Sequence, residues 1–241
     1  MLNFDNVKIP KKINRCPIAE AVVELRFESS IPAEVIMSKI FNKLGSEYPQ
    51  FEKLPITEIP TIIRDAQINL KFSPHYRLSN ENFIIQFGPR SFSIVCQKEY
   101  KGWSEYFKKI EHAFNEIKNL NIIDSPSRFG LRYINFFEKE NIFEKIKVGM
   151  SLANNSLLEQ KNVFRSEFNM DEFVCVVQIT NNALLQNKIN GSSIDIDIII
   201  DKDDRILRDF VQLTLKAHDI ERKIFFGILQ EDFLSKLEPE F

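Results

Sequence analysis

The chain has 241 residues, 44% of them hydrophobic and 27% charged, with a formal net charge of −2. That apolar content supports a substantial core in one large domain or two small ones and excludes a disordered or fibrous chain. The near-neutral charge gives no bulk electrostatic case for coating nucleic acid or an acidic membrane, and no window reaches the roughly 20 apolar residues a membrane-spanning helix needs.

Cys16, Cys96 and Cys175 are odd in number, far apart and form no CxxC pair, which argues against a disulfide framework or a structural zinc site. The N-terminal stretch MLNFDNVKIPKKINRCP lacks the layout of a signal peptide. A reduced, cytoplasmic protein is expected. Phe outnumbers Gly by 22 to 7, and Ile, Asn and Lys are common, a bias that AT-rich coding produces and that points to a bacterial source.

Residues 17–29, PIAEAVVELRFES, read as a strand with Ala21, Val23, Leu25 and Phe27 on one face and Glu20, Val22, Glu24, Arg26 and Glu28 on the other. Pro32 then opens a helix whose stripe is Ile36, Ile40, Leu44 and Tyr48. Three prolines make 49–62 an irregular connection or edge segment. Strands are expected at 66–73 and 76–78, and Phe83–Phe87 should form a hairpin with Ser91–Gln97 across Gly88-Pro89-Arg90. Trp103, Phe107, Ile110, Phe114 and Ile117 form the seam of a second helix. Strand 128–138 follows, then a short helical turn near 142–146. Residues 163–180 read as two strands or one bent strand, and 181–190 as polar and turn-like. In SIDIDIII, Ile194, Ile196, Ile198 and Ile200 face inward, and a final helix of some 25 residues starts near Asp204.

The helices are too few and too unevenly spaced for a doubly wound parallel sheet. The expected fold is α+β: a largely antiparallel sheet with helices on one face and a long C-terminal helix. One unit spanning 1–241 is expected, with 1–121 and 122–241 as candidate pseudo-repeat halves.

PIAEAVVELRF and RFGLRYINFF together resemble a sporadically distributed, uncharacterised prokaryotic family with a Pro-Ile-x-Glu strand and a later Gly-Leu-Arg-Tyr-x-Asn strand. The matching residues are Pro17, Ile18 and Glu20, then Gly130, Leu131, Arg132, Tyr133 and Asn135. The resemblance implies a single full-length unit. The family's sporadic spread implies a component of a bacterial defence or toxin-neutralising pair.

Arg128 and Arg132 share one strand face, and an arginine among aromatic neighbours needs a carboxylate, carbonyls or an anionic ligand. Glu20 and Glu24 on the first strand are the expected internal partners, and Arg128, Arg132, Tyr133, Asn135, Glu20 and Glu24 are the candidate binding residues. No catalytic residue and no cofactor is expected. No metal site is expected either; Asp195, Asp197 and Asp201 are the weak candidates, with solvent exposure and capping of the last helix as the competing reading. Tyr100, Trp103 and Tyr106 with Lys98, Lys101, Lys108 and Lys109 offer a base-stacking surface, against which stands an ordinary helix start. The apolar residues of 224–241 exceed one helical stripe, so a protein partner or homo-oligomer is expected, with nucleic acid not favoured and no membrane. The leading expectation is a non-enzymatic binding or regulatory protein. The alternative is an enzyme or binding protein acting on a phosphate-bearing or nucleic-acid substrate.

Overall fold

A computed structural model describes residues 4, 6–97, 99–185 and 188–241. The fold is α+β, with a nine-stranded antiparallel sheet and, among the described residues, six α-helices. In chain order the strands of this sheet are β1 (Ile18–Glu28), β2 (Gln50–Lys53), β3 (Tyr76–Ser79), β4 (Phe83–Phe87), β5 (Ser91–Gln97), β6 (Ser125–Glu138), β7 (Val163–Met170), β8 (Phe173–Leu185) and β9 (Ile189–Asp201), arranged β7-β8-β9-β6-β1-β5-β4-β3-β2. The helices are α1 (Ala33–Leu44), α2 (Thr61–Ala66), α3 (Ile68–Lys71), α4 (Trp103–Asn119), α5 (Arg205–Ile228) and α6 (Glu231–Lys236). No helix among the described residues is long and apolar enough to cross a membrane. The chain divides into two compact units: unit 1 comprises residues up to 19, 132–199 and 215–241, and unit 2 comprises 20–131 and 200–214.

Unit 2 is built on strand alternation. On β1, Ala21, Val23, Leu25 and Phe27 are all buried, and they sit opposite apolar residues of β5: Ala21 opposite Cys96, Val23 opposite Ile94, Leu25 opposite Phe92. The row continues through Phe83, Ile85 and Phe87 of β4 to Leu78 of β3. Helix α1 buries Ile36, Ile40 and Leu44, with Tyr48 just beyond its end. Helix α4 buries Tyr106, Ile110, Ala113, Phe114 and Ile117. Its first inward residue is therefore Tyr106, whereas Trp103 and Phe107 are half-buried at the margin. A tyrosine can take the inward place because its hydroxyl finds acceptors: it lies 2.8 Å from Ile94 O and 3.0 Å from Ala21 O.

The stretch from Pro49 to Pro74 contains no buried residue. The strand expected at 66–73 is instead the two short helices α2 and α3. The reason lies in the pairing: β2 lies antiparallel to β3, Gln50 opposite Ser79 and Lys53 opposite Tyr76, so everything between them is a connection with no strand to pair against. It re-enters the sheet through Leu54 N–H donating to His75 O and His75 N–H donating to Phe87 O.

In unit 1, Ile194, Ile196 and Ile198 of β9 are buried and lie opposite Ile179, Val177 and Cys175 of β8. The expected polar turn at 181–190 is largely hairpin. β8 runs on to Leu185 and β9 begins at Ile189, with a bulge between Thr180 and Ala183. Main-chain pairing tolerates polar side chains there, and the bulge absorbs the change of alternation. The C-terminal apolar surplus is not left over: Ile224, Phe225, Phe226, Leu229, Phe233 and Leu237 are buried, with Phe137 and Phe233 in ring contact at 5.5 Å. A second short helix, α6, makes this burial geometry available.

Two polar side chains of α5 are buried in unit 1, His218 and Glu221. Burial, together with Arg222, holds the His218 imidazole down to about 3, and burial pushes the Glu221 carboxyl up to about 8 against a weaker pull from Arg222. Between pH 4.5 and about 8 the folded chain keeps a Glu221 proton that the unfolded chain has released, so this group's stabilisation is lost as pH rises through that window. His218 works in the opposite sense, its stabilisation fading as pH falls from 6.5 towards about 3. Glu221→Gln should remove the alkaline-side loss, which for one proton is about 1.4 kcal/mol per pH unit. Thermal melts of the variant should change less between pH 5 and 8 than those of the parent; parallel curves would contradict the assignment.

Candidate functional site

Strand β6 places its arginines in two separate settings. Arg128, in unit 2, has a side chain 15% exposed and donates from Nη1 to Glu24 Oε2 at 2.6 Å; its Nε lies 3.9 Å from Asp201 Oδ1. Glu24 also accepts from Arg26 Nε at 2.8 Å. The guanidinium of Arg128 lies across Gly130, where an added Cβ would meet Nη1 at 2.6 Å, so the missing side chain makes room for the ion pair. Arg132, in unit 1, is 47% exposed and forks onto Asp195, Nε to Oδ1 at 2.8 Å and Nη2 to Oδ2 at 2.5 Å.

The other candidates are structural in their contacts. Glu20 accepts from Gln97 Nε2 at 3.1 Å. Tyr133 and Asn135 belong to the buried row of β6; Tyr133 meets the His218 ring at 5.9 Å, and Asn135 Nδ2 is 3.5 Å from Ile194 O. Asp195 is engaged by Arg132, and Asp197 lies opposite Val176 in the β8–β9 register. Asp203, next along, accepts the Arg205 N–H at 2.8 Å and begins α5, and the Arg205 guanidinium beside it lowers its pKa. Among the described residues no three His, Cys, Asp or Glu side chains come together as a cation site. Of the stacking set, Lys98 lies outside the described residues, Tyr106 is fully buried, and Lys109 pairs with Glu47 at 2.6 Å.

The arrangement with chemical capacity lies elsewhere, at one end of the strands of unit 2. The registers Arg26–Ser91, Phe87–Phe92, Tyr76–Phe87 and Lys53–Tyr76 bring the end of β1, the β4–β5 turn, the start of β3 and the end of β2 to the same edge. Helix α1 begins there too, with no side chain capping its N-terminus. α2 and α3 close the remaining side. Together they enclose a cleft of about 460 Å³ lined by Lys53, Arg64, Lys71, His75, Tyr76 and Arg90 among others. That volume is within the range of small-molecule sites. Gly88 sets the wall: an added Cβ would meet Ser73 O at 2.8 Å, so the connection can approach the turn only over a glycine.

The cations of the cleft fall into two kinds. Lys71 and Arg90 share one carboxylate, Glu28, with Lys71 Nζ at 2.7 Å from it. Among the described residues Arg64 has no carboxylate partner. It donates from Nη1 to the His75 ring, 2.8 Å from Nε2, and from Nη2 to Thr61 Oγ1 at 2.9 Å, while its Nε is buried without an acceptor. Burial, then the Arg64 charge, pushes His75 down to about 4, with Asp65 pulling the other way. His75 is thus a neutral acceptor for Arg64 at neutral pH and adds no counter-charge. A guanidinium held by a neutral ring and a hydroxyl keeps its full charge available to an incoming anion.

Little in the sequence marked this cleft. Arg64, Lys71, His75 and Arg90 are 26 residues apart at the extremes and share no motif; the one signal was Arg90 in an otherwise compact Gly-Pro turn. No family model matches the chain, and no curated protein matches its sequence.

Three outcomes are expected. Glu24→Ala removes the carboxylate that a mostly buried guanidinium donates to and should cost about 1–3 kcal/mol in urea denaturation. Asp195→Ala leaves only an exposed one and should cost less than about 1 kcal/mol. Equal costs would show that burial does not separate the two pairs. In an NMR titration, His75 should show a midpoint near 4, moving up towards 6.5 but not reaching it in Arg64→Ala, because burial is the larger cause.

Proposed function

We propose that this protein is a non-enzymatic binding protein whose cleft in unit 2 takes a small phosphate-bearing anion. The observation that carries the reading is Arg64: a guanidinium lining a cleft, with, among the described residues, no carboxylate partner and no acceptor for its buried Nε. Arginine forks match phosphate oxygens geometrically, and the uncapped N-terminus of α1 beside them adds a favourable dipole. The two cations on Glu28 supply further positive charge at the same edge. Neutral His75 fits a positioning part better than proton transfer at physiological pH, since its titration lies near 4.

The wider setting, one component of a bacterial defence or toxin-neutralising pair, draws on the resemblance to the sporadic prokaryotic family. In that setting the anion would act as the signal that a partner protein reads. Co-purification from the native host is its measure.

The binding itself is tested by calorimetric titration with inorganic phosphate and methyl phosphate. Saturable binding is expected, weakening with added salt and falling at least about tenfold in Arg64→Ala, the loss of one charge-assisted contact. Helix α2 has no buried residue, so the variant should fold as the parent does. Binding unaltered by Arg64→Ala, or none up to millimolar phosphate, would remove the basis of the reading.

A further inference from the structure

The cleft keeps charges of both signs unneutralised. Its lining includes Glu34 and Asp65 as well as the cations. Among the described residues neither carboxylate is in an ion pair, and neither are Lys53 and Arg64. Arg64 and Asp65 are chain neighbours on α2, yet Arg64 turns to His75 and Thr61. Glu34 sits in the first turn of α1. Elsewhere in unit 2 several charged side chains are paired: Arg128 and Arg26 on Glu24, Lys43 on Glu116 at 2.6 Å, Lys109 on Glu47, Arg77 on Glu52 at 2.9 Å.

A site for a bare anion would gain by losing its carboxylates, because each repels the ligand. A site for a molecule with an anionic end and a hydrogen-bond-donating body gains by keeping them as acceptors. The cleft volume also exceeds what a bare phosphate fills. Ile31, Ala33 and Met37 on one side and Tyr76 and Pro89 on the other give an apolar lining between the charged groups. Thr57 and Thr61 add hydroxyls that donate or accept.

Resting on the phosphate-binding reading, we infer that the ligand is a phosphate monoester of sugar-phosphate to nucleotide size. Its phosphate meets the Arg64 side of the lining, and hydroxyl or amino groups of its body donate to Glu34 and Asp65. The phosphate supplies affinity through charge. The carboxylates supply selection, since a body without donors leaves two acceptors facing it unpaired.

The test compares inorganic phosphate, ribose 5-phosphate and adenosine 5′-monophosphate by calorimetry on the full chain and on the double variant Glu34→Gln, Asp65→Asn. Both positions are exposed, so the variant should fold, and its melting curve checks that. The expected result is that at least one ester binds the parent tenfold or more tighter than inorganic phosphate. The double variant should then lose that advantage while binding inorganic phosphate as well as or better than the parent. Three equal affinities in the parent would overturn the inference and leave the phosphate site standing. Tighter ester binding in the double variant would also overturn it, because the carboxylates would then act only by repulsion. No binding of any of the three would remove the parent reading and this one together. Glycerol 3-phosphate, with two hydroxyls, serves as the smaller ester; an affinity close to that of ribose 5-phosphate assigns recognition to a vicinal diol, in support of the inference.

Discussion

A guanidinium keeps its proton at any pH a protein experiences, and it is costly to remove from water without a negative or accepting neighbour. Most of the arginines in unit 2 follow from that constraint. Arg128 reaches Glu24 over a glycine, Arg26 shares the same carboxylate, and Arg90 shares Glu28 with Lys71. Each of these is an internal balance written into strand register, since Glu24 and Glu28 lie on the same outward row of β1. Arg64 departs from the pattern, and the departure is specific: it has acceptors in His75 and Thr61 and, among the described residues, no ion pair.

The cleft follows from topology as much as from charge. An antiparallel sheet returns its turns to the same edge, so the β4–β5 turn, the end of β1 and the start of β3 are neighbours although 62 residues separate Glu28 from Arg90 along the chain. A connection too long for a hairpin turn arches from β2 to β3 at that edge and brings Arg64 and Asp65 with it. Binding residues carried on a connection beside a rigid strand edge are a common division of labour, the sheet holding position and the connection supplying chemistry.

How far the sequence could be read depended on periodicity. The alternation of Ala21 to Phe27 and of Ile194 to Ile200, and the four-residue stripe of α1, translate directly into buried faces because period alone decides them. At α4 period was insufficient. Trp103 and Tyr106 are a turn apart, and which one faces inward depends on the two carbonyls that receive the Tyr106 hydroxyl. The alternation within 66–73 looked like a strand because nothing local records that no partner strand is available. Arg128 was legible as a charge in need of a partner, and Glu24 as a carboxylate on the outward face of another strand. Arg64 was not legible at all. What distinguishes it is that, among the described residues, neither Asp65 nor Glu34 of the same lining closes onto it, and where a side chain does not turn has no counterpart in a string of residues.

The wall formed by residues 49–74 has one further consequence. Beyond β2 it has no side chain anchored in the hydrophobic interior, so less apolar burial opposes its local opening than opposes that of the strands. It is held by the β2–β3 pairing, the hydrogen bonds through His75, Arg64 on that ring and the Lys71–Glu28 contact. A molecule gripping Arg64 on that wall and Arg90 on the turn would staple the two together. Its dwell time would then depend on how often the wall opens.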